Sequence, residues 1–125
     1  MRKGIIPAVV MPMNSDGIPD LDEYEKYLKW VASFNVVGIA VNVDTGEGPT
    51  LTEVERINAI KVAKSVVKDR TVVAGILGTS TESAVKNAKD AKEAGADMGL
   101  VFPNSAFAGY PLDPEAPYAY HKAIP

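Results

Sequence analysis

Four short segments hold the residues best placed to do chemistry: Pro12-Met13-Asn14, Asp44-Thr45-Gly46-Glu47, Gly78-Thr79-Ser80 and Pro103-Asn104-Ser105. The second is the richest. Thr45 offers a hydroxyl, and Gly46 permits a turn that points backbone N–H groups into a pocket, an arrangement that holds a small carboxylate. Asp44 and Glu47 are groups able to act as acid or base. The competing reading is a sharp turn in which Asp44 and Glu47 satisfy nearby N–H groups. Gly78-Thr79-Ser80-Thr81 opens a helix, where an anion is favoured, or simply caps it. No phosphate-binding fingerprint of standard spacing is present. Phe107 and Tyr110, in the loop Pro103–Pro111, read either as an aromatic lid or as a loop packing on its own side chains.

Other chemistries are excluded by what the sequence lacks. It has no Cys, so disulfides and thiolate metal sites are out. A single histidine, His121, cannot make a histidine-rich metal site or a triad of the usual kind, and no metal is expected. No lysine falls within an apolar strand-like run, where a desolvated Schiff-base lysine would sit. The net charge of −3, with signs interspersed, argues against nucleic acid. The longest apolar run, from Ile5 to Met13, is far short of the roughly 20 residues that span a bilayer. No signal peptide is read, and a cytoplasmic location is expected.

The elements that must position these residues alternate regularly. Gly4–Met11 reads as a buried strand, followed by a helix over Asp20–Phe34 capped by Asp20 with Glu23. Val36–Val43 reads as the next strand, and Thr50 with Glu53 as the capping box of the helix after it. That helix turns Val54, Ile57, Ile60, Val66 and Val67 inward. Thr71–Leu77 is a third strand. Thr79 with Glu82 caps a third helix, which stops at Gly95. Met98–Phe102 is a fourth strand, and Asp113-Pro114 opens a last helix. Near-continuous apolar strands separated by helices indicate a parallel sheet. No composition shift divides residues 1–125, so no internal domain boundary is expected. The pattern suits either a small doubly wound sheet or the first half of a barrel of about 250 residues. Both place function at the C-terminal ends of the strands.

The motifs resemble one family. GIIPAVVMPMNSDGIPDLDEYEKYLKWV is similar to the opening of dihydrodipicolinate synthase and N-acetylneuraminate lyase. VGIAVNVDTGEGPTLTEVER resembles the family signature G-T/S-T-G-E-x-x-x-L-[ST]-x-x-E-R, and AGILGTSTESAVKNAKDAKEAGADMGLVFP resembles its next segment. YAYHKAIP looks like the family's L-Y-x-H-(F/Y)-K-A-I-A. The resemblance runs in order along the whole chain.

The resemblance implies an α/β fold, a TIM-type (β/α)8 barrel of which this chain covers about the first four βα units. It implies a lyase acting on a 2-oxo acid such as pyruvate through a Schiff base, with no separate cofactor, in a homo-oligomer. The family's Schiff-base lysine lies on the sixth strand and its catalytic tyrosine at the end of the fifth. Both would follow Pro125, so the alternative is a truncated or divergent, catalytically inactive barrel fragment. By the resemblance, Thr45 with Gly46 binds the substrate carboxylate. Asp44 stands at the proton-relay position, where the family has Thr or Ser. Val43 replaces the family glycine, and Asn104-Ser105 replaces a tyrosine pair. A half barrel is expected to expose its outer strands and a barrel-facing set such as Val9, Ile39, Val41, Val73 and Leu100 or their alternates. The isolated chain is then expected to dimerise or aggregate.

Overall fold

The computed structural model describes residues 3–107 and 113–125. Three parallel strands, β1 (Gly38–Val41), β2 (Thr71–Ile76) and β3 (Met98–Val101), lie side by side in chain order. Four α-helices accompany them: α1 (Leu21–Ala32), α2 (Glu53–Val67), α3 (Thr81–Glu93) and α4 (Glu115–Ala123).

The predicted first strand is present in path but not in regular form. Residues 5–9 run parallel to β1 through isolated bridges, Ile5 with Val36 and Ala8 with Ala40. Pro7 has no N–H to donate, so a continuous ladder cannot form. Ile5 O instead accepts from Val37 N at 3.0 Å and Pro7 O from Ala40 N at 2.8 Å, while Val9 N donates to Ala40 O at 3.0 Å. Beyond it the chain turns as the Asn14–Gly17 sequence suggests. Asn14 Oδ1 accepts from Asp16 N and Ile18 N, and Gly17 takes a left-handed φ of 76°.

Two capping boxes fall later than the motifs first suggest. Helix α2 is capped by Thr52 with Glu55, not by Thr50 with Glu53. The Thr50 hydroxyl is committed to Glu47 O at 2.9 Å, and the buried Leu51 holds the chain in a turn before the helix starts. Helix α3 is capped by Ser80 with Ser83, a hydroxyl taking the role expected of Glu82. Asp20 does cap α1, accepting from Glu23 N at 3.0 Å, while the Glu23 carboxylate pairs with Lys26. Gly95, at φ 106°, follows α3 as expected. Val54, predicted to face inward, is 65% exposed, because at helical spacing it lies well off the buried stripe of Ala59, Ile60, Ala63 and Val67.

All the packing that forms the core lies on one side of the sheet. Val9, Ile39, Val41, Val72, Ala74 and Ile76 are buried against Tyr24, Leu28 and Val31 of α1 and the inner faces of α2 and α3. Burial pushes the Tyr24 phenol pKa upward, and the neighbouring Tyr27 adds to this. The opposite face follows the register Ala8–Ala40–Val73–Met98, with Leu100 one step further along β3. Here Val10, Met98 and Leu100 stay 44–45% exposed. The inner-face expectation is therefore corrected. Val73 and Leu100 belong to the uncovered face, whereas Val9, Ile39 and Val41 point to the helices. Strands in chain order, with helices on one side only, form an arc of a (β/α)8 barrel. A doubly wound sheet would reverse strand order and take helices on both faces.

One polar clamp ties the starts of two strands together. The Asp97 carboxylate accepts from Val72 N at 2.8 Å and from Lys64 Nζ of α2 at 2.7–2.8 Å. Partial burial alone would raise its pKa. The bond from Lys64, the Val72 N–H and the Lys64 charge outweigh it and hold the carboxyl below its ordinary value.

Candidate functional site

Asp44, Thr45 and Gly46 form a single 310 turn two residues beyond β1, at the C-terminal edge of the sheet. The turn's first internal bond runs from Gly46 N to Val43 O at 2.9 Å. The N–H groups of Asp44 and Thr45 stand ahead of that bond, so the turn itself provides them no acceptor. Both residues are exposed and Gly46 is buried. The arrangement presents two N–H dipoles and the Thr45 hydroxyl at one edge, a geometry that attracts a small anion.

The turn is built differently from the sequence expectation in one respect. Gly46 does not supply the left-handed conformation; Glu47 does, at φ 58°. Gly46 supplies room instead, because a Cβ on it would sit 2.8 Å from Val9 O. Its own N–H is engaged, so its contribution to a bound carboxylate is close approach of the chain. The Glu47 carboxylate lies 3.4 Å from the Thr50 hydroxyl and so serves the turn. Asp44 is exposed, and its carboxylate makes no hydrogen bond or ion pair among the described residues.

Behind the turn, a set of polar side chains binds the loop to its neighbours. Asn42, the residue after β1, has a left-handed φ of 55° and is 3% exposed. Its Nδ2 donates to Arg56 O of α2 at 3.0 Å. The Arg56 guanidinium donates to Leu51 O and reaches Asn87 Oδ1 of α3 at 3.5 Å. Asn87 Nδ2 in turn donates to Leu77 O at the end of β2. Two non-glycine residues in the left-handed region, Asn42 and Glu47, thus flank the turn, and such strain persists only where surrounding bonds fix it. Sequence reading passed over Asn42, Arg56 and Asn87. The signal available was one polar residue, Asn42, inside the apolar run Val36–Val43.

The other segments are placed as follows. Gly78 and Thr79 line a cleft with Gly48, Pro49, Phe102 and Pro103, adjoining the strand ends but not including Asp44 to Gly46. Ser80 is committed to capping α3. Asn104 Nδ2 lies 3.4 Å from Gly78 O. The Phe107 ring packs edge-on against Tyr120 at 5.5 Å, which is the loop-packing reading of that residue. Tyr110 lies outside the described residues. His121 is exposed, with Nδ1 at 2.7 Å from Pro117 O. Among the described residues no cluster of His, Asp or Glu could hold a metal ion, and no helix is long and apolar enough to cross a membrane. No lysine lies in β1, β2 or β3.

Comparison with known proteins assigns the arc. The pattern of the Dihydrodipicolinate synthetase family matches residues 1–104. A 4-hydroxy-tetrahydrodipicolinate synthase of Gluconacetobacter diazotrophicus is 38% identical over 102 residues, 81% of this chain and 34% of that protein. A probable 5-dehydro-4-deoxyglucarate dehydratase of Pseudarthrobacter chlorophenolicus is 36% identical over 103 residues, 82% of this chain and 34% of that protein. The crystal structure of dihydrodipicolinate synthase from Agrobacterium tumefaciens superposes with a TM-score of 0.86 at 31% identity, over 98% of this chain and 40% of that one. The chain thus spans about a third of the length of these curated relatives. A parallel arc with a D-T-G-E turn after β1, matched in sequence over most of its length and in structure over nearly all of it, belongs to the dihydrodipicolinate synthetase family.

Proposed function

We propose that this chain forms the carboxylate-gripping part of a lyase that binds a 2-oxo acid such as pyruvate through a Schiff base. The observation that carries the reading is the turn at Asp44–Gly46, whose leading N–H groups have no acceptor within the turn. Oriented N–H dipoles hold an anion at no cost in reorganisation, and the Thr45 hydroxyl adds a third donor. Thr45 is the principal contact, and Gly46 lets the chain approach. Asp44 occupies the proton-relay position. A carboxylate there repels a bound carboxylate at short range, which sets it apart from a neutral hydroxyl. Homo-oligomeric assembly and a cytoplasmic location are part of the same proposal.

The covalent step needs a lysine amine. Its nitrogen attacks the ketone carbon and water leaves, giving the iminium. The described strands offer no lysine facing the turn, so a longer protein carrying the rest of the barrel would provide it. A second reading, a divergent and catalytically inactive barrel fragment, draws support from the Asp44 carboxylate in place of a hydroxyl. Borohydride trapping distinguishes them. A protein containing the complete barrel, treated with pyruvate and borohydride, is expected to gain one reduced adduct on a lysine outside residues 1–125. This chain alone is expected to gain none. An adduct on a lysine within residues 1–125 overturns the assignment, and no adduct on the complete barrel supports the inactive reading.

A further inference from the structure

We infer, given that the Asp44–Gly46 turn grips a carboxylate, that Asn42 is its positioning residue: the bond from the Asn42 side chain to α2 sets the direction in which the Asp44 and Thr45 N–H groups point. Tyrosines aside, Asn42 is the one buried residue with a polar or charged side chain among the described residues. It is kept there at a cost. Nδ2 donates to Arg56 O at 3.0 Å, but Oδ1 is buried and makes no hydrogen bond among the described residues. Its left-handed φ of 55° adds strain that a glycine would not carry. An apolar side chain of similar volume would avoid the first cost, and glycine the second. Neither could tie the chain to α2, which is what the amide supplies.

That bond controls where the turn begins. Pairing of β1 with β2 stops at Val41, although β2 runs on to Ile76. The left-handed Asn42 takes the chain out of the strand, and Val43 follows in an extended conformation. Val43 O then accepts from Gly46 N at 2.9 Å and from Gly48 N at 3.1 Å. Both bonds that close the turn therefore hang on one carbonyl, one residue beyond Asn42. The Asn42 backbone carbonyl is itself confined between Gly48 and Gly75, where a Cβ on either glycine would overlap it. The far flank of the turn is tied to the same residue of α2. Glu47 O accepts from Leu51 N at 3.1 Å, and Leu51 O accepts from the Arg56 guanidinium. Arg56 thus holds both ends of the turn, through its carbonyl at Asn42 and through its side chain at Leu51.

Residual dipolar couplings of the isotopically labelled chain read N–H directions with no ligand present, and pyruvate titration followed by amide shifts reads the grip. Two variants remove the anchor in different ways. Asn42→Gly takes the left-handed angle without strain, and Asn42→Leu keeps the volume, so either one that folds carries the test. In both, the couplings of the Asp44 and Thr45 amides are expected to collapse toward averaged values while those of β2 stay as they were. Pyruvate binding is expected to weaken about fivefold, the equivalent of one net hydrogen bond. Unchanged Asp44 and Thr45 couplings in a folded variant overturn the inference, as does unchanged affinity when the couplings have collapsed. If neither variant folds, Asn42 is a residue of general stability and the inference falls. If the couplings collapse but the unmodified chain binds no pyruvate at the turn, Asn42 still positions the N–H groups and the carboxylate reading alone fails.

Discussion

Asp44 is the residue at which this chain departs most consequentially from its family resemblance. A carboxylate a few ångströms from a bound carboxylate costs about 1 kcal/mol in a water-like environment. Asp44→Thr is therefore expected to tighten pyruvate binding about fivefold, and in a complete barrel to move turnover toward the usual family reaction. Calorimetric titration checks the first effect and steady-state kinetics the second. Weaker binding by the variant would mean that Asp44 acts as a base toward a different substrate. Gly46→Ala forces a Cβ toward Val9 O, and crowding of this kind typically costs about 1–3 kcal/mol, measurable by urea unfolding. At this scale the sequence was informative about residue types and silent about conformation. Thr45 and Gly46 stand out in a strand-end loop by type alone. Glu47, not Gly46, takes the left-handed angle, and Gly46 instead lies against Val9 O, a contact 37 residues distant that no local pattern encodes.

The elements place this turn through their caps and one inter-strand clamp. Thr52→Ala removes the acceptor for Glu55 N and is expected to lower stability by about 1 kcal/mol in denaturant titration. Asp97 gives a pH signature. Its carboxyl is held below the ordinary value of 3.8 in the folded chain, so its ionised form is favoured by folding. The stabilisation is fully present above that value and is lost as pH falls through the lower folded value. Unfolding midpoints of the unmodified chain should therefore drop on acidification below 3.8 more steeply than those of Asp97→Asn; equal slopes would remove Asp97 from the account. Helix identity and order were legible because the apolar spacing of Tyr24, Leu28 and Val31 is strongly periodic and because polar caps and apolar runs alternate along the chain. Cap positions were less so. Thr50 and Thr52 offer overlapping motifs with Glu53 and Glu55, and only the burial of Leu51 decides between them.

For the molecule as a whole, one sheet face is sealed by helices and the other shows Val10, Met98 and Leu100 to solvent. The outer edges are residues 5–9 on one side and β3 on the other, both apolar and parallel. Residues 1–125 expressed alone are accordingly expected to associate at low micromolar concentration, in sedimentation velocity, by pairing these edges. A stable compact monomer would contradict this expectation. The alternation of strand and helix was readable from sequence, but which strand side faces the helices was not. Near-continuous apolar runs carry no alternation to mark it, which is why Val9, Ile39 and Val41 were expected on the wrong face. The proposed site holds the carboxylate of a 2-oxo acid at the end of β1, before any covalent chemistry. Pyruvate titration of the labelled chain, followed by backbone amide shifts, tests it most directly. Saturable shifts centred on Asp44, Thr45 and Gly46 are expected, diminished when Thr45 is replaced by Val. Saturable shifts centred elsewhere, or none at these three amides, would contradict it.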